Sequence, residues 1–369
     1  MTRRRLMLDT NIWSRLAEQG QRHQLIKLVQ NRQVDVVMPP ATLLEVLRTQ
    51  DKQLRRSVTK LVCRNGWQRL NTEAQSESAE LVREIRRLRP AWILDQPNFR
   101  AVASHERFWR STIYDLARDD APHLLSLNQV VGVRERQAIS ELQEIQRNQF
   151  RTDGVFRSLE EARDQLRTWV VWPDPRGLKS AEAEGWEPGS RVAPWRVDLL
   201  SVLRKALVLD PVRTVITGQA ATYADWIGAY VNLDAVGSDL RSFGHMLLYE
   251  VDERHMPRSW LRRAVAFVQH SMRLTPGNPV DAQLAAYLIE ADLFVTNDRR
   301  FAIIIEAVRP SSLTPYAIAR YADIHGAGGS AVDAVAAVLL GSPGGPWGSP
   351  ATVQREARAS PRANQHVNP

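Results

Sequence analysis

Apolar residues along this chain fall either in short continuous runs or at every third and fourth position, and the two patterns alternate. Arg5-Leu6-Met7-Leu8 reads as a strand that ends in Asp9, with a helical pattern following from Ile12. Val34-Asp35-Val36-Val37-Met38, rich in β-branched residues, predicts a second strand. Pro39-Pro40 halts that strand and opens a helix from Ala41 to about Thr49, since proline suits a first helical turn. A short strand around Gly66–Leu70 precedes a helix from about Glu73 to Arg89, on which Leu81, Val82, Ile85 and Leu88 are helically spaced. Strands alternating with helices predict an α/β fold with a parallel sheet.

From Ala91 this alternation stops, and residues 91–274 read as mostly helical. Ser158-Leu159-Glu160-Glu161 has the form of a capping box, and Val197 to Leu209 is an apolar-periodic helix. Trp169 to Trp195, rich in tryptophan, proline and glycine, reads as a long ordered loop or a contact surface. The α/β pattern returns at the turn Thr275-Pro276-Gly277-Asn278-Pro279, where Asn278 is set to cap a helix over Val280–Glu290. Asp292 to Asp298 is another strand ending in an acid, and Ala327 to Leu340 reads as a last helix. Residues 342–369 show no periodicity and read as a disordered tail. The expected organisation is a discontinuous core, 1–90 with 275–325, interrupted by a helical segment over 91–274.

Composition narrows the class. With 369 residues, 44% of them hydrophobic and 24% charged, the chain predicts a globular protein. Its single cysteine, Cys63, excludes an internal disulfide framework and a cysteine-rich zinc site, and suits a reducing compartment. No stretch reaches the ~18 uninterrupted apolar residues of a membrane span, so a cytoplasmic protein without membrane contact is expected. Net charge is +8, unevenly spread: +9 over residues 1–90, zero over 91–274 and −1 over 275–369. A positive field concentrated in the first quarter attracts polyphosphate, because phosphate contacts release counterions.

Four carboxylates give the chain a candidate chemistry. Asp9 and Asp298 end strands, while Glu45 and Asp281 sit near the starts of helices that follow turns. In a parallel sheet, strand C-termini and the N-termini of following helices share one edge, where ligands bind. Four acids gathered there repel one another unless a cation joins them, and an all-oxygen set favours Mg²⁺ or Mn²⁺.

Leu6-Met7-Leu8-Asp9-Thr10-Asn11 and Met38-Pro39-Pro40-Ala41-Thr42-Leu43-Leu44-Glu45 resemble the opening motifs of PIN-domain nucleases, the fold of VapC-type toxins. Asn278-Pro279-Val280-Asp281-Ala282-Gln283-Leu284-Ala285-Ala286 is similar to that family's third acidic motif. Leu293-Phe294-Val295-Thr296-Asn297-Asp298-Arg299-Arg300-Phe301 is similar to its closing strand and T-x-D motif, and Trp67–Arg89 to its intervening strand and helix. The resemblance implies a metal-dependent endoribonuclease in which Asp9, Glu45, Asp281 and Asp298 hold one or two Mg²⁺ or Mn²⁺ ions. Thr10, Asn11 and Thr296 would orient ligands or substrate. It also leaves open an antitoxin or other protein partner, a homodimer, and DNA instead of RNA as substrate. The 184 residues of 91–274 are a departure from compact toxin members of the family. The rival reading is a PIN-like nucleic-acid-binding or scaffold protein acting through that segment.

Other features point elsewhere. His245, His255 and His270 lack the spacing of a helical metal pair and read as structural. Gly326–Ser330 lacks a P-loop lysine and reads as a turn. A haloacid-dehalogenase-type phosphatase would need a second aspartate where Asn11 stands. Tryptophans of 91–274 read as core or interface, and Arg83, Arg86 and Arg87 as a solvated face that could track a phosphate backbone.

Overall fold

A computed structural model describes residues 3–120, 124, 159–168, 182–187, 189–209, 222–270 and 278–341. Ser158, residues 169–181, the turn Thr275–Gly277 and the tail from Ser342 lie outside the described residues. The chain is α/β, built on one five-stranded sheet: β1 (Arg4–Leu8), β2 (Val34–Met38), β3 (Gln68–Arg69), β4 (Leu293–Thr296) and β5 (Ile318–Tyr321). Strand order is β3-β2-β1-β4-β5, and every pairing is parallel. β1 is therefore central, with Leu6 opposite Val36 on one side and Leu293 on the other.

Both faces of the sheet are covered, which explains why its strands are apolar on both sides. Leu6, Leu8, Val36, Met38, Leu293 and Val295 enter one core, while Met7, Val37, Phe294 and Ala319 enter the other. The first face is covered by α1 (Thr10–Glu18), α2 (Arg22–Asn31), α4 (Lys52–Val62) and the helix Ala331–Leu339. Trp109, Ile113 and Tyr114 complete that layer. The second face carries α5 (Glu73–Leu88) and the helices Pro257–His270, Asn278–Tyr287 and Arg299–Val308. Between β2 and α4 lies α3 (Pro40–Leu47).

Several boundaries differ from the sequence pattern. Asp9 and Asp298 are not strand residues; each is the N-cap of the next helix, accepting from the backbone N–H of Thr10 and Phe301 respectively. A carboxylate at that position satisfies N–H groups that a helix leaves unpaired, so strand ending and helix start coincide. Gly328 and Gly329, both with positive φ, keep the turn out of the last helix, which starts only at Ala331. β5 has no counterpart in the sequence reading, because Ile318-Ala319-Arg320-Tyr321 is a short edge strand with little alternation.

Described residues of 91–270 are helices and turns, save for isolated bridges such as Ile93 with Val231. Their tryptophans at 92, 109, 195, 226 and 260 are buried, as core. This segment rests on α5, whose Glu77, Glu80 and Glu84 are buried alongside the apolar stripe. Glu77 faces Arg262 and Arg263 at 3.2 and 3.4 Å and accepts from the Tyr223 hydroxyl at 2.8 Å. Glu80 accepts from Arg258 and from the backbone N–H groups of Arg258 and Ser259, so it caps the helix Pro257–His270 from another element. Glu84 meets His255 and Arg87. His245 lies between Glu187 and Glu250, so His245 and His255 each pair with glutamates. Among the described residues, no helix is long and apolar enough to cross a membrane.

Removing one partner of such a buried cluster costs more than the cluster contributes, because the remaining charges stay desolvated. Glu77→Ala should lower unfolding stability by about 3–5 kcal/mol in urea titration; a midpoint unchanged from wild type would mean that water, not Glu77, satisfies the two arginines. At the far end of α5, hydrogen bonds from Arg89 hold Glu250 down to about 2. A carboxylate lowered on folding stabilises above its unfolded value, here 4.5, and that contribution disappears as pH falls toward 2. Glu250→Gln should therefore flatten the loss of stability below pH ~4.5, measured as thermal midpoint against pH.

Candidate active site

The C-terminal edge of the sheet gathers the predicted acids. Asp9 leaves β1 at the centre and is buried, 6% exposed. Its Oδ1 accepts from the Thr10 N–H at 2.7 Å, and its Oδ2 from the Thr296 hydroxyl at 2.5 Å and the Asn11 amide at 2.8 Å. Thr296 ends β4, the strand beside β1, and is fully buried. The same Oγ1 accepts from the Asp298 N–H at 2.8 Å, which links the Asp9 carboxylate to the Asp298 backbone through one side chain. Asn11 Oδ1 accepts from the Asn297 N–H at 3.1 Å and fixes the β4 exit loop against α1.

Glu45 reaches this edge from the second turn of α3, where the Thr10 hydroxyl donates to its Oε2 at 2.5 Å. Thr10 and Thr296 thus hold the acids by hydrogen bonds across elements, and Asn11 holds Asp9 from the first turn of its own helix. Asp281, on the first turn of the helix Asn278–Tyr287, has no hydrogen bond to the other three acids; the Gln269 amide donates to its Oδ2 at 2.9 Å. Its nearness shows electrostatically. Burial and then the charges of Asp9, Asp298 and Glu45 push the Asp281 carboxyl up to about 8, with Arg300 opposing. Burial raises Asp9 to about 6, against the hydrogen bonds from Thr296 and Thr10, with Asp298 adding to the rise.

Gln269, Asn297 and Arg300 are members of this site that sequence reasoning missed. Gln269 had one available signal, a polar residue directly after the apolar positions Leu261, Ala264, Val265 and Val268, and it is 2% exposed. Asn297 and Arg300 carried none, since polar residues in a strand-to-helix turn are commonplace.

The donor set suits a hard divalent cation: all oxygen, with no thiolate or imidazole, and with a charge excess that a cation would relieve. Among the described residues, no group of three or more His, Cys, Asp or Glu side chains stands close enough as placed to hold a metal ion. The four acids form an open array, with Asp9 and Asp298 also engaged in capping helices. Compared with protein-family models, curated proteins and solved structures, the chain shows no significant match.

A carboxyl raised on folding stabilises the fold below its unfolded pKa and loses that contribution as pH rises through the folded value. For Asp281 the window runs from 3.8 to about 8. Asp281→Asn keeps an acceptor for Gln269 and removes the repulsion. Its thermal midpoint should exceed that of wild type by about 2 °C or more at pH 8, with a smaller gap at pH 5. A variant no more stable than wild type at pH 8 would mark Asp281 as a plain structural acceptor.

Proposed function

We propose that the chain is a Mg²⁺- or Mn²⁺-dependent endoribonuclease with a PIN-like core, interrupted by the helical segment 91–274. The observation that supports this reading is the meeting of four carboxylates at one edge of the parallel sheet, where burial and then the charges of the other three push the Asp281 carboxyl up. Proteins seldom keep repelling acids together for stability alone, since one carboxyl must then hold a proton at neutral pH.

In this reading Asp9, Glu45, Asp281 and Asp298 are the residues that hold the divalent ion. When bound, the ion supplies activation of water and stabilisation of charge developing on a phosphodiester. The chain's own groups prepare that site. Thr296 and Asn11 fix the Asp9 carboxylate, and Thr10 fixes Glu45, so these two acids are oriented while the open array closes around the ion. Gln269 occupies Oδ2 of Asp281, leaving Oδ1 to carry the proton that a cation displaces. No side-chain nucleophile is required. The positive charge of residues 1–90 raises the local concentration of a polyanionic substrate around the acidic edge.

The test is cleavage of a panel of single-stranded and structured RNAs and DNAs in Mg²⁺, Mn²⁺ or EDTA. RNA should be cut only with metal, and Asp9→Asn and Asp281→Asn should each lower the rate by more than about 100-fold. Cleavage that survives both substitutions, or persists in EDTA, would overturn the assignment. Preference for DNA would redirect the substrate while keeping the chemistry.

A further inference from the structure

α5 has two polar sides with opposite fates. On the side that holds the segment 91–270, each glutamate finds a cationic partner: Glu77 with Arg262 and Arg263, Glu80 with Arg258, Glu84 with Arg87. On the outer side Arg83 and Arg86 are exposed and have no carboxylate partner among the described residues. Among the described residues, the Arg83 side chain bonds to the Ala79 carbonyl, one turn back in its own helix. Where so many arginines of one region are neutralised, two adjacent unneutralised ones need a reason.

These two arginines line a cleft of about 410 Å³ between α5 and the helices Phe99–Arg107 and Tyr223–Gly228. Asn71 stands at one end, two residues after β3, towards the C-terminal edge of the sheet. Glu290 stands at the other end, before β4, near the opposite edge. The cleft therefore follows the flank of α5, which rises about 1.5 Å per residue, over roughly 20 Å from Asn71 to Arg86. Its acids are engaged: Glu106 accepts from Gln75 at 2.7 Å, and Glu290 pairs with Arg258 and Arg5. In the same wall, Gln75 Oε1 and Ser78 Oγ have no protein hydrogen bond.

We propose that this cleft binds the backbone of a single-stranded nucleic acid, with Arg83 and Arg86 on successive phosphates. Residues three apart on a helix are neighbours, about 5–6 Å between Cβ atoms, so both guanidinium groups face one strand. Guanidinium suits phosphate because its planar donors match two oxygens at once. A volume of about 410 Å³ between these helices holds part of a single strand and not the width of a duplex. The segment 91–274, neutral overall, supplies the opposing wall and not the charge. The direction of the strand relative to the acids rests on the nuclease reading; the binding itself does not.

The experiment is fluorescence anisotropy with labelled RNA of about 12 nucleotides, single-stranded or duplex, in EDTA so that nothing is cut. Wild type is compared with Arg83→Glu/Arg86→Glu and with the charge-matched control Arg22→Glu/Arg32→Glu, exposed positions on and just after α2 across the sheet. Single-strand affinity should fall by about tenfold or more in the first variant, and the salt slope by about two, with less than about threefold loss in the control. Equal losses in both variants, no loss in either, absence of RNA binding by wild type, or equal affinity for duplex would each overturn the groove. So would displacement of the RNA by micromolar ATP, which would mark a free-nucleotide site. Cleavage separates this proposal from the one beneath it. If wild type cuts and Arg83→Glu/Arg86→Glu binds as tightly as wild type, the groove fails and the nuclease stands. If wild type cuts nothing but binding depends on the two arginines, the nuclease fails and the groove stands.

Discussion

The parallel pairing of β1 with β4 is the constraint on which the candidate site depends. It joins Leu6–Leu8 to Leu293–Val295, segments almost 290 residues apart in the chain, and is sealed by the bond from the Asp9 N–H to the Val295 carbonyl at 2.9 Å. β1 cannot sit elsewhere in the sheet without turning Met7 and its neighbours to the wrong face, since a slip of one residue exchanges the two cores. Once that register is set, Thr296 must lie beside Asp9, and Asp298 and Asn297 follow within one turn. The hydrogen bonds around Asp9 thus result from strand register and not from any local motif.

The edge so formed carries an electrostatic cost that the rest of the fold offsets. Asp9 is buried and Asp281 half-buried, both with carboxyls raised, and the hydrogen bonds from Thr296, Thr10 and Asn11 recover only part of what desolvation takes from Asp9. Large apolar cores on both faces of the sheet, including Trp13, Phe294 and Phe301, supply the stability that permits such a site. The same division between a stable scaffold and a destabilised edge is common where chemistry is done.

α5 joins the two halves of the chain through charge instead of shape alone. Glu77, Glu80 and Glu84 each meet groups from the segment 252–263, and Glu80 caps a helix that brings Gln269 to Asp281. The helical segment is thereby tied to the candidate site through one continuous element, Pro257–His270, which contacts α5 at its start and Asp281 near its end. This gives the segment a physical means of setting the position of one of the four acids.

Local order was legible in the sequence. Short continuous apolar runs marked β1, β2 and β4, apolar spacing marked α5 and the helix after Pro279, and acids marked the ends of the strands at Asp9 and Asp298. These signals depend on residues within one turn or one strand of each other, so local pattern alone reveals them. The four acids were also nameable, because each stands at a turn and their order along the chain resembles a known family. What the sequence could not determine is which groups surround each acid. Gln269 beside Asp281, Thr10 on Glu45, and buried glutamates facing arginines 170 to 190 positions away arise from packing between distant elements. A charged residue on a helix reads as solvated until another element covers it. Only the tertiary structure decides that Glu80 is covered and Arg83 is not, because burial belongs to the pair of surfaces that meet and not to either sequence alone.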